Sequence, residues 1–339
     1  MLRPFSRVDT AMTTVQVFPE IPPYRPPWWL PSGHFQTIYP VMLRKTPCPP
    51  YTRRRLELAD GDFLDLDWLS SGNDRLVILS HGLEGHSRRA YIVGMGYMAV
   101  SEGWDVLAWN FRGCGGETNR LPRLYCNADT EDLHAVVSHA VEKGYSRIIL
   151  IGFSMGGNVS LLYLGRDRGH VPVAVAGAVC FSVPCDLRGC AEALARPECR
   201  IYMKRFLIEL RRKLEIKQQH FPSLISLEGY EKIRNFRDFD DRYTAPFHGF
   251  ADAEDYWRRC SCLPWLDAVR VPTLLVNAAN DPFLSPSCYP PALSSSPVRF
   301  FTPAQGGHCG FPTTGKDGRY WSEQAAARFL SALECSEDQ

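Results

Sequence analysis

The chain has 339 residues, of which 45% are hydrophobic and 22% charged, an ordinary composition for a globular protein. Its length admits one large domain or two smaller ones. Lys+Arg 38 nearly cancels Asp+Glu 37, so no global field directs the chain to nucleic acid or to an anionic membrane.

Residues 1–20 contain no apolar core of the kind a secretory leader needs. Arg3 and Arg7 are a slight presequence signal that Asp9 opposes, and Met12 is an alternative start. Residues 18–50 are dense in proline, with Trp28, Trp29 and Tyr39 between the prolines. Proline lacks an N–H and clashes with the preceding turn, so neither a helix nor a central strand is expected there. The aromatics suggest that this segment, residues 1–50, lies against the body of the protein. Around Asp60-Gly61, a hairpin dipeptide, Leu56 and Leu58 face Phe63, Leu64 and Leu66.

Strands and helices then alternate. Apolar strands are expected at 76–80, 104–110, 147–151, 173–182, 273–276 and 298–301. Helices are expected near 89–102, 129–143, 155–164 and 320–333. This alternation predicts a mostly parallel sheet covered by helices on both faces. Right-handed crossovers bring the carboxyl ends of the strands to one edge, where ligands bind. The longest apolar run, 171–183, is too short to span a bilayer and is limited by Pro172 and Pro184. The stretch 186–264 is too long for a bare loop. Within it Met203, Phe206, Leu207, Leu210 and Leu214 recur at helical spacing, with Lys204, Arg205, Arg211, Arg212 and Lys213 on the remaining face. It reads as a helical lid inserted between core segments 51–185 and 265–339. The basic face reads first as solvated, with contact to a membrane surface as the lesser reading. The twelve cysteines contain no C-x-x-C pair, which implies free thiols in a reducing cytoplasm.

The chemistry centres on Gly152-Phe153-Ser154-Met155-Gly156, where an apolar strand turns sharply into a helix. Such a turn needs small residues two before and two after the serine, and it exposes the hydroxyl at the sheet edge. This is the nucleophile elbow of the α/β-hydrolase fold. A serine needs a base, and the base needs an acid to orient it. In chain order, Asp281 follows the strand at 273–276, and His308 lies in the glycine-flanked loop after the strand at 298–301. Asp186 is a competing acid, after the strand at 173–182. His134, His139, His170, His220 and His248 lack a comparable setting. The backbone N–H groups of Leu83, in His81-Gly82-Leu83-Glu84-Gly85, and of Met155 are the expected oxyanion donors. No phosphate loop, dinucleotide fingerprint or metal motif is present, so no cofactor and no metal is expected.

Several segments resemble the YheT-like α/β-hydrolases, a family of esterases: Gly33-His34-Phe35-Gln36-Thr37, His81 to Gly85, Asn110 to Gly116, Gly152 to Asn158, Phe239-Asp240-Asp241, His248-Gly249, and Gly306 to Phe311. They run in order across nearly the whole chain. The resemblance implies a Ser154, Asp281, His308 triad and hydrolysis of carboxylic esters, with acyl transfer to an alcohol as the alternative. Family members in eukaryotes carry a membrane anchor that is not seen here, so a cytoplasmic protein acting on a small-molecule or lipid-like ester is expected. No nucleic acid partner and no integral membrane segment are expected. The Gly33 to Thr37 and His248-Gly249 segments read as structural.

Overall fold

A computed structural model describes residues 18–290, 297–313 and 318–335. The N-terminal positions Arg3, Arg7, Asp9 and Met12 lie outside the described residues. Apolar runs that are buried on both faces become the central strands. β1 (Thr52–Glu57) and β2 (Phe63–Leu69) form the hairpin around Asp60-Gly61, with Leu56 opposite Leu64. The other strands are β3 (Arg75–Ser80), β4 (Asp105–Asn110), β5 (Arg147–Phe153), β6 (Val175–Phe181), β7 (Thr273–Val276) and β8 (Val298–Phe301). They form one eight-stranded sheet in the order β1-β2-β4-β3-β5-β6-β7-β8, in which β2 alone runs opposite to the other strands.

Helices cover both faces. α2 (Ala90–Ser101) and α10 (Trp321–Cys335) pack on one face, and α3 (Thr130–Glu142) and α4 (Met155–Gly165) on the other. Every residue of α4 is buried. Register levels the strand ends: Ser80 lies beside Gly152, Phe153 beside Phe181, Phe181 beside Val276 and Val276 beside Phe301. The loops after β3, β5, β7 and β8 therefore meet at one edge.

The proline-dense segment departs from expectation. Gly33–Leu43 is a helix, α1, with Pro40 inside it. Pro40 removes the N–H that would bond the Gln36 carbonyl. Tertiary bonds offset that loss, because the Gln36 side chain is fully buried and is bonded on both its oxygen and its nitrogen. The segment lies against the core through Ile21, Tyr24 and Leu30, and the Tyr24 hydroxyl donates to the Pro312 carbonyl at 2.8 Å. Trp28, an aromatic expected to face the body, is instead 91% exposed.

Between β6 and β7 run α5 (Leu187–Leu194), α6 (Arg200–His220), α7 (Phe236–Phe239), a π turn (Asp240–Thr244), α8 (Ala245–His248) and α9 (Ala253–Cys260). On α6 the apolar positions Met203, Leu207, Leu210 and Leu214 are buried. Lys213 does not belong to the solvated face. It turns inward, and its ammonium lies 3.1 Å from Glu84 Oε1. No helix among the described residues is long and apolar enough to cross a membrane.

The Asn110 to Gly116 segment has a structural role. Arg112, almost fully buried, donates to both oxygens of Asp132 at 2.7 and 2.6 Å, and to Asp60 and Asp62 at 2.7 and 3.0 Å. Removing one partner of a buried ion network leaves uncompensated charge, which costs about 3–5 kcal/mol. Arg112→Met is therefore expected to lower unfolding free energy by about that much in urea titration, and a loss below about 1 kcal/mol would contradict this account.

Candidate active site

The turn from β5 to α4 is held by close backbone approach. A Cβ on Gly152 would stand 2.6 Å from the Gly156 carbonyl oxygen, and one on Gly156 would stand 2.4 Å from that of Ser80. Ser154, between them, has φ +52° and ψ −120°, a conformation that costs a non-glycine residue about 1–3 kcal/mol. The chain tolerates this because α4 and the sheet are packed around it. The strain leaves the hydroxyl at the strand edge.

There the structure brings Ser154, His308 and Asp281 together. Ser154 Oγ lies 2.9 Å from His308 Nε2, and His308 Nδ1 lies 2.9 and 3.1 Å from the two Asp281 oxygens. Asp281 Oδ1 also accepts the Phe283 N–H at 2.9 Å, and the Phe283 ring stacks on the imidazole at 4.2 Å. Burial works against the imidazolium, but the Asp281 carboxylate and the Cys309 sulfur outweigh it and hold the His308 pKa above its usual 6.5. Asp186, the competing acid, instead accepts the Ser287 hydroxyl at 2.5 Å. His134, on α3, is bonded to the Tyr163 hydroxyl of α4.

Leu83 and Met155 both border the cavity at Ser154. Among the described residues, no hydrogen bond engages either N–H. The loop that carries Leu83 is fixed at both ends. His81, fully buried, stays neutral because burial lowers its pKa to about 3. Its Nδ1–H donates to the Gly82 carbonyl at 2.8 Å, and its Nε2 accepts the Phe111 N–H at 3.2 Å. Glu84 sits at φ +53°, its N–H bonded at 2.8 Å to the Tyr125 hydroxyl, which donates in turn to Glu84 Oε1 at 2.6 Å.

A cavity of about 130 Å³ extends from Ser154 and His308 under the β6–β7 segment. Phe206, Leu210 and Leu214 of α6 line it together with Phe236, Phe239 and Tyr243. Met203 and Leu207 do not line it; they lie behind that wall, in one apolar cluster with Leu210, Leu214, Ile225 and Tyr230. One polar group on the wall, Asp240, accepts from Thr244 Oγ1 at 2.6 Å and from Trp257 Nε1 at 2.8 Å. Burial pushes its pKa up to about 7, against those two hydrogen bonds.

Cys126, Asp129 and His248 form a cluster with ligand-like spacing beside the cavity. Its members already bond one another and Arg123: Cys126 Sγ to His248 Nδ1 at 3.4 Å, and Arg123 to Asp129 at 3.1 Å. That network accounts for the His248-Gly249 segment as a brace.

The family model described as the alpha/beta hydrolase fold matches residues 75–313, from β3 to the loop beyond β8. The chain belongs to the α/β-hydrolase family. It is 36% identical to YheT of Escherichia coli K12, named as an esterase, over 82% of this chain and 84% of that one. It is 32% identical to the phospholipase ABHD3 of Mus musculus over 85% of this chain and 73% of the relative. Among solved structures, the Pyrococcus furiosus esterase Pf2001 aligns with a TM-score of 0.55 at 18% identity, over 83% of this chain and 90% of that one, a likeness of fold. As a member of this family the chain is a hydrolase.

The residues that position the histidine loop of this hydrolase were hidden in the proline-dense segment. Thr37 Oγ1 accepts the His308 N–H at 2.9 Å and donates to the Gly33 carbonyl at 2.6 Å. Gln36 Oε1 accepts the Gly306 N–H at 2.8 Å and an Asn280 N–H at 3.0 Å, while Asn280 Oδ1 accepts the Gly307 N–H at 3.0 Å. The signal was the two polar residues that end Gly33 to Thr37, whose role no local rule revealed. Displacing a reacting group by about 1 Å costs roughly a hundredfold in rate. Gln36→Leu is therefore expected to lower kcat on a soluble ester by about that factor with KM nearly kept. Wild-type kcat in the folded variant would remove Gln36 from this role.

Proposed function

We propose that this hydrolase is a serine carboxylesterase that cleaves acyl esters through an acyl-enzyme. Ser154 Oγ attacks the ester carbonyl while His308 Nε2 takes its proton. Asp281 accepts the Nδ1–H, which keeps the imidazole in the needed tautomer and stabilises its cation. The carbonyl oxygen, negative in the tetrahedral intermediate, receives the N–H groups of Leu83 and Met155. His308 returns the proton to the departing alcohol. Water then attacks the acyl-serine with His308 again as base, releasing the acid and restoring the serine. The observation that carries this reading is the unbroken chain Ser154 Oγ, His308, Asp281, with each link near 2.9 Å.

The acyl chain fits the apolar cavity under residues 186–264, which act as a lid. Filling the cavity should shift chain-length preference. Leu210→Trp is expected to lower kcat/KM for p-nitrophenyl esters of eight or more carbons at least about tenfold while sparing the acetate ester, because each excluded methylene forfeits about 0.8 kcal/mol. An unchanged profile would place the acyl chain elsewhere. The eleven free cysteines among the described residues suit a reducing compartment such as the cytoplasm.

Treatment with a fluorophosphonate tests the mechanism. The serine oxygen should displace fluoride from phosphorus, and peptide mass analysis should find the adduct on Ser154. Labelling at another residue, or none on folded protein, would overturn the proposal.

A further inference from the structure

Fifteen large apolar side chains are strongly exposed among the described residues, and ten of them fall within residues 28–43 and 201–224. These two segments meet in space. His34 of α1 bonds the Tyr202 hydroxyl of α6 at 3.1 Å, and the two rings stack at 5.8 Å with 10° between their planes. On the α1 side Trp28, Phe35, Met42 and Leu43 are 91, 58, 73 and 61% exposed. At helical spacing Phe35 and Met42 share one face of α1, while Gln36, Thr37 and Pro40 face inward. On the α6 side Ile201, Ile208 and Ile216 are exposed at 77, 41 and 44%. Apolar exposure on this scale, gathered on adjoining elements, marks an interaction surface.

The charge on this surface is one-sided. α6 carries seven Lys or Arg and two Glu, in a chain whose net charge is +1. Lys213 and Lys217 point inward, and Glu209 and Glu215 are paired with Arg205 and Arg211 at 3.1 and 2.9 Å. Arg200, Lys204 and Arg212 are exposed and, among the described residues, have no acidic partner. Exposed isoleucines between unpaired cations, beside an exposed tryptophan and phenylalanine, are the pattern of a helix that lies in a lipid–water interface.

We infer that the outer faces of α1 and α6 form a docking surface for an anionic phospholipid bilayer. The isoleucines, Trp28, Phe35 and Met42 enter the headgroup boundary, and Arg200, Lys204 and Arg212 meet anionic headgroups. The inner faces serve the site: α6 lines the cavity, and Thr37 of α1 holds the His308 backbone. Docking would hold the cavity within about one helix diameter, roughly 10 Å, of the lipid. The inference concerns a surface and stands or falls independently of the chemistry proposed for Ser154.

The test is co-sedimentation of the full chain with vesicles of phosphatidylcholine alone and of phosphatidylcholine with phosphatidylglycerol. Binding to the anionic vesicles is expected, weakening as salt rises from 0.1 to 1 M and the screening length falls from about 10 to about 3 Å. Lys204→Glu with Arg212→Glu, both on the exposed face, should reduce partitioning roughly 30-fold or more. Trp28→Ser with Met42→Ser should weaken it independently. Both variants should keep the melting temperature and the turnover of a soluble ester. No binding to anionic vesicles, equal binding to neutral ones, or charge-reversed protein that binds as well as wild type would overturn the inference. A concentration-dependent dimer lost with Trp28→Ser and Met42→Ser, without vesicle binding, would assign the face to a second copy of the chain instead.

Discussion

Replacing Ser154 by alanine is expected to lower kcat for a p-nitrophenyl ester by about a millionfold while the protein keeps its fold. The magnitude follows from what the hydroxyl does in the proposed reaction. Without it no acyl-enzyme forms, and the remaining groups can only assist direct attack by water, leaving roughly 10³–10⁴-fold over the uncatalysed rate. Stability should change little, because alanine keeps the same strained backbone. Ser154 sits at φ +52° and its side chain is only half-buried, so losing Oγ opens little cavity. Steady-state kinetics with a fluorophosphonate control makes the result decisive. A variant that retains even a hundredth of wild-type turnover, with no contaminating esterase detected by the probe, would assign the nucleophile elsewhere.

Asp281→Asn should have the second largest effect, about 10⁴-fold in kcat, with a shift in pH dependence that a purely structural role would not produce. An amide in place of the carboxylate can donate to Nδ1, which moves the histidine proton to Nε2 and leaves no acceptor for the serine proton. The pH effect has a definite sign. The base must be neutral to act, and the Asp281 carboxylate, against the opposing effect of burial, holds the His308 pKa above 6.5. Wild-type activity should therefore rise with pH through a midpoint above 6.5. Removing the carboxylate should move that midpoint down, so the residual activity of the variant reaches its plateau at lower pH. An unshifted midpoint would show that Asp281 does not set the charge of His308. A midpoint at or below 6.5 in the wild type would contradict the electrostatics described for the pair.

Much of the site was legible along the chain because its geometry is local. The apolar strand 147–153, the glycines at 152 and 156 and the helix after them sit within a dozen residues, and steric exclusion at the turn dictates which residue types fit. The strands that precede Asp281 and His308 were visible for a similar reason: each is a short, mainly apolar run, β7 buried throughout and β8 at the sheet edge with Arg299 exposed, and parallel pairing sends their loops to one edge. Proline rules failed at α1, where Pro40 sits inside a helix that no propensity favours.

The residues that tune the site were beyond reach of any local rule. Gln36 and Thr37 act on Gly306 and His308 across some 270 positions, and Lys213 reaches Glu84 across a helix that a charge pattern placed in solvent. The apolar positions of α6 also divided only in space, with Phe206 and Leu210 on the cavity and Met203 and Leu207 behind it. The alternation of elements, the strained serine turn and the chain order of its partners could be read along the chain, since these depend on sterics and hydrophobic period within short windows. Tertiary structure alone decided which polar groups hold the histidine loop, which cations are buried and which apolar faces remain open, because each depends on how segments distant along the chain share the same volume.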